Sequence, residues 1–234
     1  MTAALKIESV ESGYDKTPVI RGISLDVQPG EIVTILGKNG MGKSTLLKTI
    51  MGFVRASKGH ISLFGKNVVG ERPYRIARHD VSYTPQEFTL FQDLTVEENL
   101  RLGVPDDVTF HRRFEQVGYH FPVIPERLKQ RAGTLSGGEQ KMLLVSRALI
   151  AQPKLMLIDE LTEGLQPTVI AKLTEVLRLE RDRTGVAILL VEQNLRFALS
   201  IADSYAVLNL GQIIDRGNDT TAATIEKIAE ELSV

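Results

Sequence analysis

Eight residues, Gly37-Lys38-Asn39-Gly40-Met41-Gly42-Lys43-Ser44, satisfy the pattern G-x-x-x-x-G-K-[ST] and directly follow the apolar run Ile32 to Leu36. Gly37, Gly40 and Gly42 let the backbone wrap tightly, so that several N–H groups, Asn39's among them, point at one phosphate. A helix expected from Ser44 to Met51, opening with Ser44 and Thr45, adds its positive end to the same anion. Lys43 is placed to reach the β- and γ-phosphates of a nucleotide, and the Ser44 hydroxyl to take a position on Mg²⁺. The plain alternative is a surface lysine beside a chance glycine turn. An apolar strand before the turn and a helix after it argue against that.

Farther along, Leu155-Met156-Leu157-Ile158-Asp159-Glu160 is an apolar run ending in two acids. An acid at the carboxyl end of a parallel strand lies where such sheets bind ligands. Asp159 is therefore expected as a partner of Mg²⁺, through water, and Glu160 as the general base or water-orienting group for attack on a γ-phosphate. Taken alone, two acids after a strand read as a solvated strand end; beside the phosphate loop they read as chemistry. A third element, Leu135-Ser136-Gly137-Gly138-Glu139-Gln140, is another glycine-rich helix start. Ser136 caps it, Gly137 and Gly138 bare their N–H groups, and the helix running to Ile150 supplies its dipole. One chain thus carries two anion-binding devices.

These residues need a framework. The chain has 234 residues, enough for one large domain with a sizeable core. Apolar residues make up 43 % and charged residues 24 %, and 28 Lys+Arg against 29 Asp+Glu leave a net charge of -1. That balance gives no footprint for nucleic acid or an anionic membrane surface. The absence of cysteine excludes disulfides, thiolate metal sites and a thiol nucleophile. The start, MTAALKIESV, does not read as a secretory signal, and apolar runs such as Ala187 to Val191 are too short to span a bilayer. Any membrane role would draw its spanning segments from other chains.

Leu5 to Val10 and Ile23 to Val27 alternate apolar and polar residues around the turn-rich Gly13 to Pro18, which predicts an antiparallel pair. The runs at Ile32, Leu155 and Ala187 have the character of strands covered on both faces, each followed by a helix. The expected fold is α/β: a phosphate-loop nucleoside triphosphatase core with a mostly parallel sheet and an N-terminal antiparallel β element. Residues from about 71 to 132, with scattered Pro, Arg and aromatics, are read as a mostly helical inserted lobe between core segments of about 1–70 and 133–234. Helices are expected over Glu139 to Ile150, from Pro167 toward Gly185, and from near Thr221 to the end.

The glycine-rich helix start resembles the LSGGQ signature of ATP-binding-cassette proteins, with Glu139 between the glycines and the glutamine. That resemblance extends in order and spacing over essentially the whole chain. It implies a head-to-tail dimer in which the phosphate loop of one subunit and Ser136, Gly137 and Gly138 of the other enclose one ATP. It also implies that Tyr14 stacks on adenine, that Gln86 contacts Mg²⁺ and the attacking water, and that Thr162-Glu163-Gly164-Leu165 touches the partner. One position departs from the pattern: Gln193 stands where most members have histidine. An amide can still donate to a γ-phosphate but cannot become cationic or shuttle a proton, so hydrolysis at this chain's own loop depends on what Gln193 can do.

Val191-Glu192-Gln193-Asn194, Asp159 to Pro167 and Leu94 to Leu100 are similar to the shorter ATP-binding subunit of branched-chain amino acid importers. Urea and short-chain amide importers are the near alternative, and a soluble, non-transport cassette ATPase the more distant one. Leu161, where proline is usual, is a further departure. The resemblance implies a second cassette, identical or different, two integral membrane permeases, an indirect link to a solute-binding protein, no nucleic acid, and a place on the cytoplasmic face of the cell membrane. Phe88 and Phe91 are candidates for the groove that receives a permease helix. The four histidines, His60, His79, His111 and His120, read as surface or lobe residues.

Overall fold

The computed structural model describes residues 2–15, 17–86 and 90–233; Phe88 lies outside them. The alternating N-terminal pattern forms a hairpin, β1 (Leu5–Tyr14) against antiparallel β2 (Thr17–Val27). The first covered run is β3 (Ile32–Leu36), every residue buried, and it feeds through the glycine-rich turn into α1 (Lys43–Ile50). The chain then returns to the first sheet as β4 (Ala56–Leu63) and the short β5 (Lys66–Asn67), giving the antiparallel order β2-β1-β4-β5. A short helix, α2 (Pro73–Ala77), leads to β6 (Val81–Thr84).

Three helices follow: α3 (Val96–Arg101), α4 (Asp107–His120) and α5 (Val123–Glu126). Thr95 and Glu98 close a reciprocal capping box at the start of α3. Asn99, fully buried, fastens the preceding turn by donating to the Phe91 and Thr95 carbonyls, each 3.0 Å away, and accepting the Phe91 N–H. The long α6 (Gly137–Ile150) packs against α3, α4 and α5, and α4 is also joined to the core through a buried contact with α7.

The remaining chain alternates strand and helix: β7 (Leu155–Asp159), α7 (Pro167–Thr184), β8 (Ala187–Glu192), α8 (Leu195–Ile201), β9 (Ser204–Asn209), β10 (Gln212–Gly217) and α9 (Ala222–Ser233). They complete a second sheet of order β10-β9-β3-β8-β7-β6, parallel except for the pair β9 and β10. The expected α/β framework with an antiparallel N-terminal element is what the chain forms. Pro167 opens α7 and Gly185 ends it.

Between the two sheets, α1 packs Leu46, Leu47 and Ile50 against Ile7, Ile35, Leu157 and Leu189. On the other face of the second sheet, α6 and α7 cover Met156, Ile158, Ile188 and Leu190 with Leu143, Leu144, Leu173 and Leu177. Both faces of β3, β7 and β8 are thereby buried, which is why their sequences are continuously apolar.

One feature differs from the expectation drawn from sequence, and a second sharpens it. The stretch 71–132 is not all lobe: β6 pairs in parallel with β7, from Val81 with Leu155 to Thr84 with Ile158, and forms an edge of the core sheet. Its four residues are too short a run to announce a strand, and pairing with β7 across about seventy intervening residues creates it. His120 is the lobe residue that the sequence allows, at the end of α4, and it is buried. It is 2 % exposed and meets Glu180 of α7 at 2.7 Å, while Arg183 holds the same carboxylate with two bonds of 3.0 Å. Burial works to raise the Glu180 pKa, but the Arg183 and His120 bonds outweigh it and hold the group below its ordinary value. Among the described residues no helix is long and apolar enough to cross a membrane.

Candidate functional site

The carboxyl ends of β3, β7 and β8 open on one side of the sheet, and the residues singled out by sequence gather there. At the end of β3 the turn must pass close to β9, and a Cβ at Gly37 would stand 2.6 Å from the Leu208 carbonyl oxygen. At its far end Gly42 takes φ +105°, a region closed to ordinary L residues, and forms the N-cap of α1. No side chain caps α1 and no acid sits in its first turn, so its leading N–H groups are left for an anion. Lys38, Asn39 and Gly40 are exposed, and Thr45 is buried one step into the helix.

Lys43 folds back over the turn. Its Nζ donates to the carbonyls of Gly37 at 2.8 Å and Lys38 at 3.0 Å, and stands 3.0 Å from Glu160 Oε1. Both side chains of that ion pair are buried, at 3 % and 8 % exposure. Beside it, Ser44 Oγ donates to Asp159 Oδ1 at 3.0 Å. Burial pushes the Asp159 carboxyl up to about 6, and the Glu160 charge adds to the rise, while the Ser44 bond and the Lys43 and Lys48 charges oppose it.

Glu160 leaves the strand at φ +44°, a left-handed backbone that is uncommon for a residue with a Cβ. Its N–H donates to the Val191 carbonyl at 3.0 Å. From β6, Gln86 reaches in with one amide nitrogen that donates to Glu160 Oε2 at 2.8 Å and to Glu163 Oε2 at 3.0 Å. Gln193 lies across a cleft of about 340 Å³ whose lining includes Glu160, Thr162, Glu163 and Glu192. The structure therefore brings Lys43, Ser44, Gln86, Asp159, Glu160 and Gln193 together. It does not add Ser136, Gly137 or Gly138 to that hydrogen-bonded set: the polar contacts of Ser136 are with Glu139, at 2.9 Å from its N–H and 2.7 Å from its hydroxyl. Those bonds hold the Glu139 carboxyl below its usual range. Ser136 and Gly137 face solvent at the start of α6.

Tyr14 ends β1, half exposed at 48 %, and its hairpin borders a cleft of about 620 Å³ lined by Gly13, Asp15 and Arg55. The hairpin is tied to α1 by the Ser12 and Thr49 hydroxyls, 2.7 Å apart. Phe91 is an exposed aromatic at 58 %.

Two residues of the site were not picked out by sequence. Glu192, 2 % exposed at the end of β8, accepts from Thr162, and burial raises its pKa. Lys141, one turn into α6, has its pKa lowered by burial, against the opposing charges of Glu163, Glu192, Asp159 and Glu160. The logic that found Asp159, an acid at the end of an apolar parallel strand, applies equally to Glu192. No local signal marks Lys141, because the carboxylates around it come from other segments.

Among the described residues no group of three or more His, Cys, Asp or Glu is arranged to hold a metal ion. One hydroxyl and one carboxylate, Ser44 and Asp159, do converge, and the Asp159 carboxylate is buried with its charged form disfavoured. That donor set suits Mg²⁺, which binds through one or two protein oxygens with the rest from substrate phosphates and water.

Comparison with known proteins gives the same reading. The family model described as ABC transporter matches residues 20–163. The chain is 42 % identical over 223 residues to the high-affinity branched-chain amino acid transport ATP-binding protein BraG of Pseudomonas aeruginosa, covering 94 % of each. It is 32 % identical over 225 residues to the probable branched-chain amino acid transport ATP-binding protein LivF of Archaeoglobus fulgidus, covering 95 % of each. The solved structure of the ADP conformation of MJ1267, an ATP-binding cassette of an ABC transporter, superimposes with a TM-score of 0.86 at 25 % identity, over 100 % of this chain and 96 % of that one. With a phosphate loop, a paired acid and a signature helix in that one framework, the chain belongs to the ABC transporter family and is one of its ATP-binding, ATP-hydrolysing subunits.

Proposed function

We propose that this subunit powers an importer of branched-chain amino acids, working from the cytoplasmic face of the membrane as half of a nucleotide-sandwiching dimer. The observation that carries the chemistry is the continuous set of contacts from Ser44 through Asp159 and from Lys43 through Glu160 to Gln86. The similarity to BraG, over nearly all of both chains, supports the solute class.

Ser44, and Asp159 through water, would hold Mg²⁺ with Gln86 beside it, and the ion would supply charge neutralisation at the phosphates. Lys43 serves the β- and γ-phosphates. To do so its ammonium leaves Glu160, and the freed carboxylate, still oriented by Gln86, accepts a proton from the water that attacks the γ-phosphorus as the bond to the bridging oxygen breaks and ADP leaves. Phosphate arrival and release of the base are thus one event at Lys43. Gln193, facing the same cleft, donates an amide hydrogen bond to the γ-phosphate. Tyr14 stacks on adenine, the N–H groups from Gly37 to Gly42 hold phosphate oxygens, and Thr45 closes that end of the pocket.

The exposed start of α6, with Ser136, Gly137 and Gly138, meets the nucleotide of a second cassette. Helices α3 to α5, joined to α6, carry the closing motion to two permease subunits, with Phe91 on the docking face and a solute-binding protein upstream. Reconstitution with the permeases and binding protein tests this. Leucine, isoleucine and valine should enter vesicles with ATP and not with a Lys43→Ala subunit. ATP-driven uptake of urea or short amides in place of these would reassign the solute, and ATPase activity indifferent to the permeases would reject transport.

A further inference from the structure

The proposed catalytic acid sits in a backbone conformation that needs holding. Glu160 is at φ +44°, and such a residue persists only where its surroundings over-determine it. One tie is the Glu160 N–H to the Val191 carbonyl. The next residues along are tied to something else. The Glu192 carboxylate accepts the Thr162 N–H at 3.1 Å and the Thr162 hydroxyl at 3.3 and 3.2 Å from its two oxygens. The backbone N–H groups of Leu161 and Asn194 also favour its charged form. Successive N–H groups that follow a left-handed residue form a concave anion site. Here the anion is supplied by the protein, from the end of the neighbouring strand.

At 2 % exposure Glu192 lies at the floor of the cleft that Glu160 and Gln193 also line, with its carboxylate turned to Thr162. A buried carboxylate is costly unless its bonds are worth the desolvation. Two donors of Thr162 bond it and the N–H groups of Leu161 and Asn194 favour its charge, and each belongs to a segment that adjoins chemistry: Leu161 and Thr162 follow Glu160, and Asn194 follows Gln193.

We propose that Glu192 is a positioning residue for ATP hydrolysis, one carboxylate that fixes both the turn presenting Glu160 and the turn presenting Gln193. The inference rests on the reading of Glu160 as the base. It makes ATP binding, which uses the phosphate loop, independent of Glu192, and makes turnover dependent on it. In Glu192→Gln one acceptor oxygen becomes an NH₂ facing donors, so the two turns lose their common anchor while size is kept.

The experiment measures ATP affinity and steady-state hydrolysis for Glu192→Gln, Thr162→Val, Thr162→Ser and Glu160→Gln in the transporter complex. Expected are an ATP Kd and KM within about twofold of the parent and kcat lowered about tenfold or more for Glu192→Gln, a smaller loss for Thr162→Val, and recovery in Thr162→Ser, which keeps the hydroxyl. Parent-like kcat in Glu192→Gln overturns the proposal, as does a parallel fall in affinity and kcat, which would mean a structural role alone. Should Glu192→Gln fail to fold, the Thr162→Val and Thr162→Ser pair decides: equal kcat in the two overturns it. Full hydrolysis by Glu160→Gln would instead remove the base assignment, a failure visible separately from any result at Glu192.

Discussion

Asp159→Asn should make the nucleotide-free, metal-free protein more stable at neutral pH while removing its function. Asp159 is 2 % exposed, and its pKa is raised from 3.8 to about 6, mainly by burial. A raised carboxylate pKa means that the folded state holds the proton more tightly than the unfolded state, so ionisation works against folding. The penalty is fully present above about pH 6, shrinks as pH falls, and is gone below about pH 4. The rise of just over two pKa units corresponds to about 3 kcal/mol, and in a chain of this size that is roughly 6 to 12 °C in Tm. Asn keeps the oxygen that accepts from Ser44 and carries no charge, so it mimics the protonated acid. Thermal melts in EDTA at pH 7.5 and pH 5 test this: the variant should melt higher at pH 7.5, and its advantage should fall to about half at pH 5. Equal melting at pH 7.5, or an advantage that persists unchanged in acid, would refute the idea that the site holds a buried charge only partly compensated by Ser44, Lys43 and Lys48.

Gln193→His should raise turnover and give it a new pH dependence near the imidazole range, about 6.5, read from kcat profiles; unchanged turnover would show that the amide is not limiting. His120→Ala should destabilise the protein by about 2 to 4 kcal/mol in urea titration, since it opens a cavity and strips one partner from buried Glu180, although Arg183 remains. Ser136→Ala should cost about 1 kcal/mol of stability through the lost cap, yet lower ATPase activity far more in the assembled transporter than in the dilute single chain.

Much of the site was legible because it rests on local requirements. A turn that must approach β9 and then take φ +105° calls for glycine, and a strand covered on both faces must be continuously apolar, so Gly37, Gly42 and the runs ending at Leu36 and Asp159 carry their roles in their own sequence. The signature helix was equally readable, because its cap and its acid, Ser136 and Glu139, lie within one turn. Strands β4 and β6 were not. Ala56–Leu63 is half polar and Val81–Thr84 is four residues long, and each becomes a strand only by pairing with β1 or β7.

The sequence by itself determined that this chain binds and hydrolyses a nucleotide, since phosphate recognition is written in short stretches of backbone geometry. Only the tertiary structure decided which side chains share the reaction. Ser44 meets Asp159 across 115 residues, Gln86 meets Glu160 and Glu163 across 74 and 77, and Thr162 meets Glu192 across 30. Those meetings follow from the order β3-β8-β7-β6 in a parallel sheet, where neighbours in space are set by crossover helices and shared burial rather than by position along the chain.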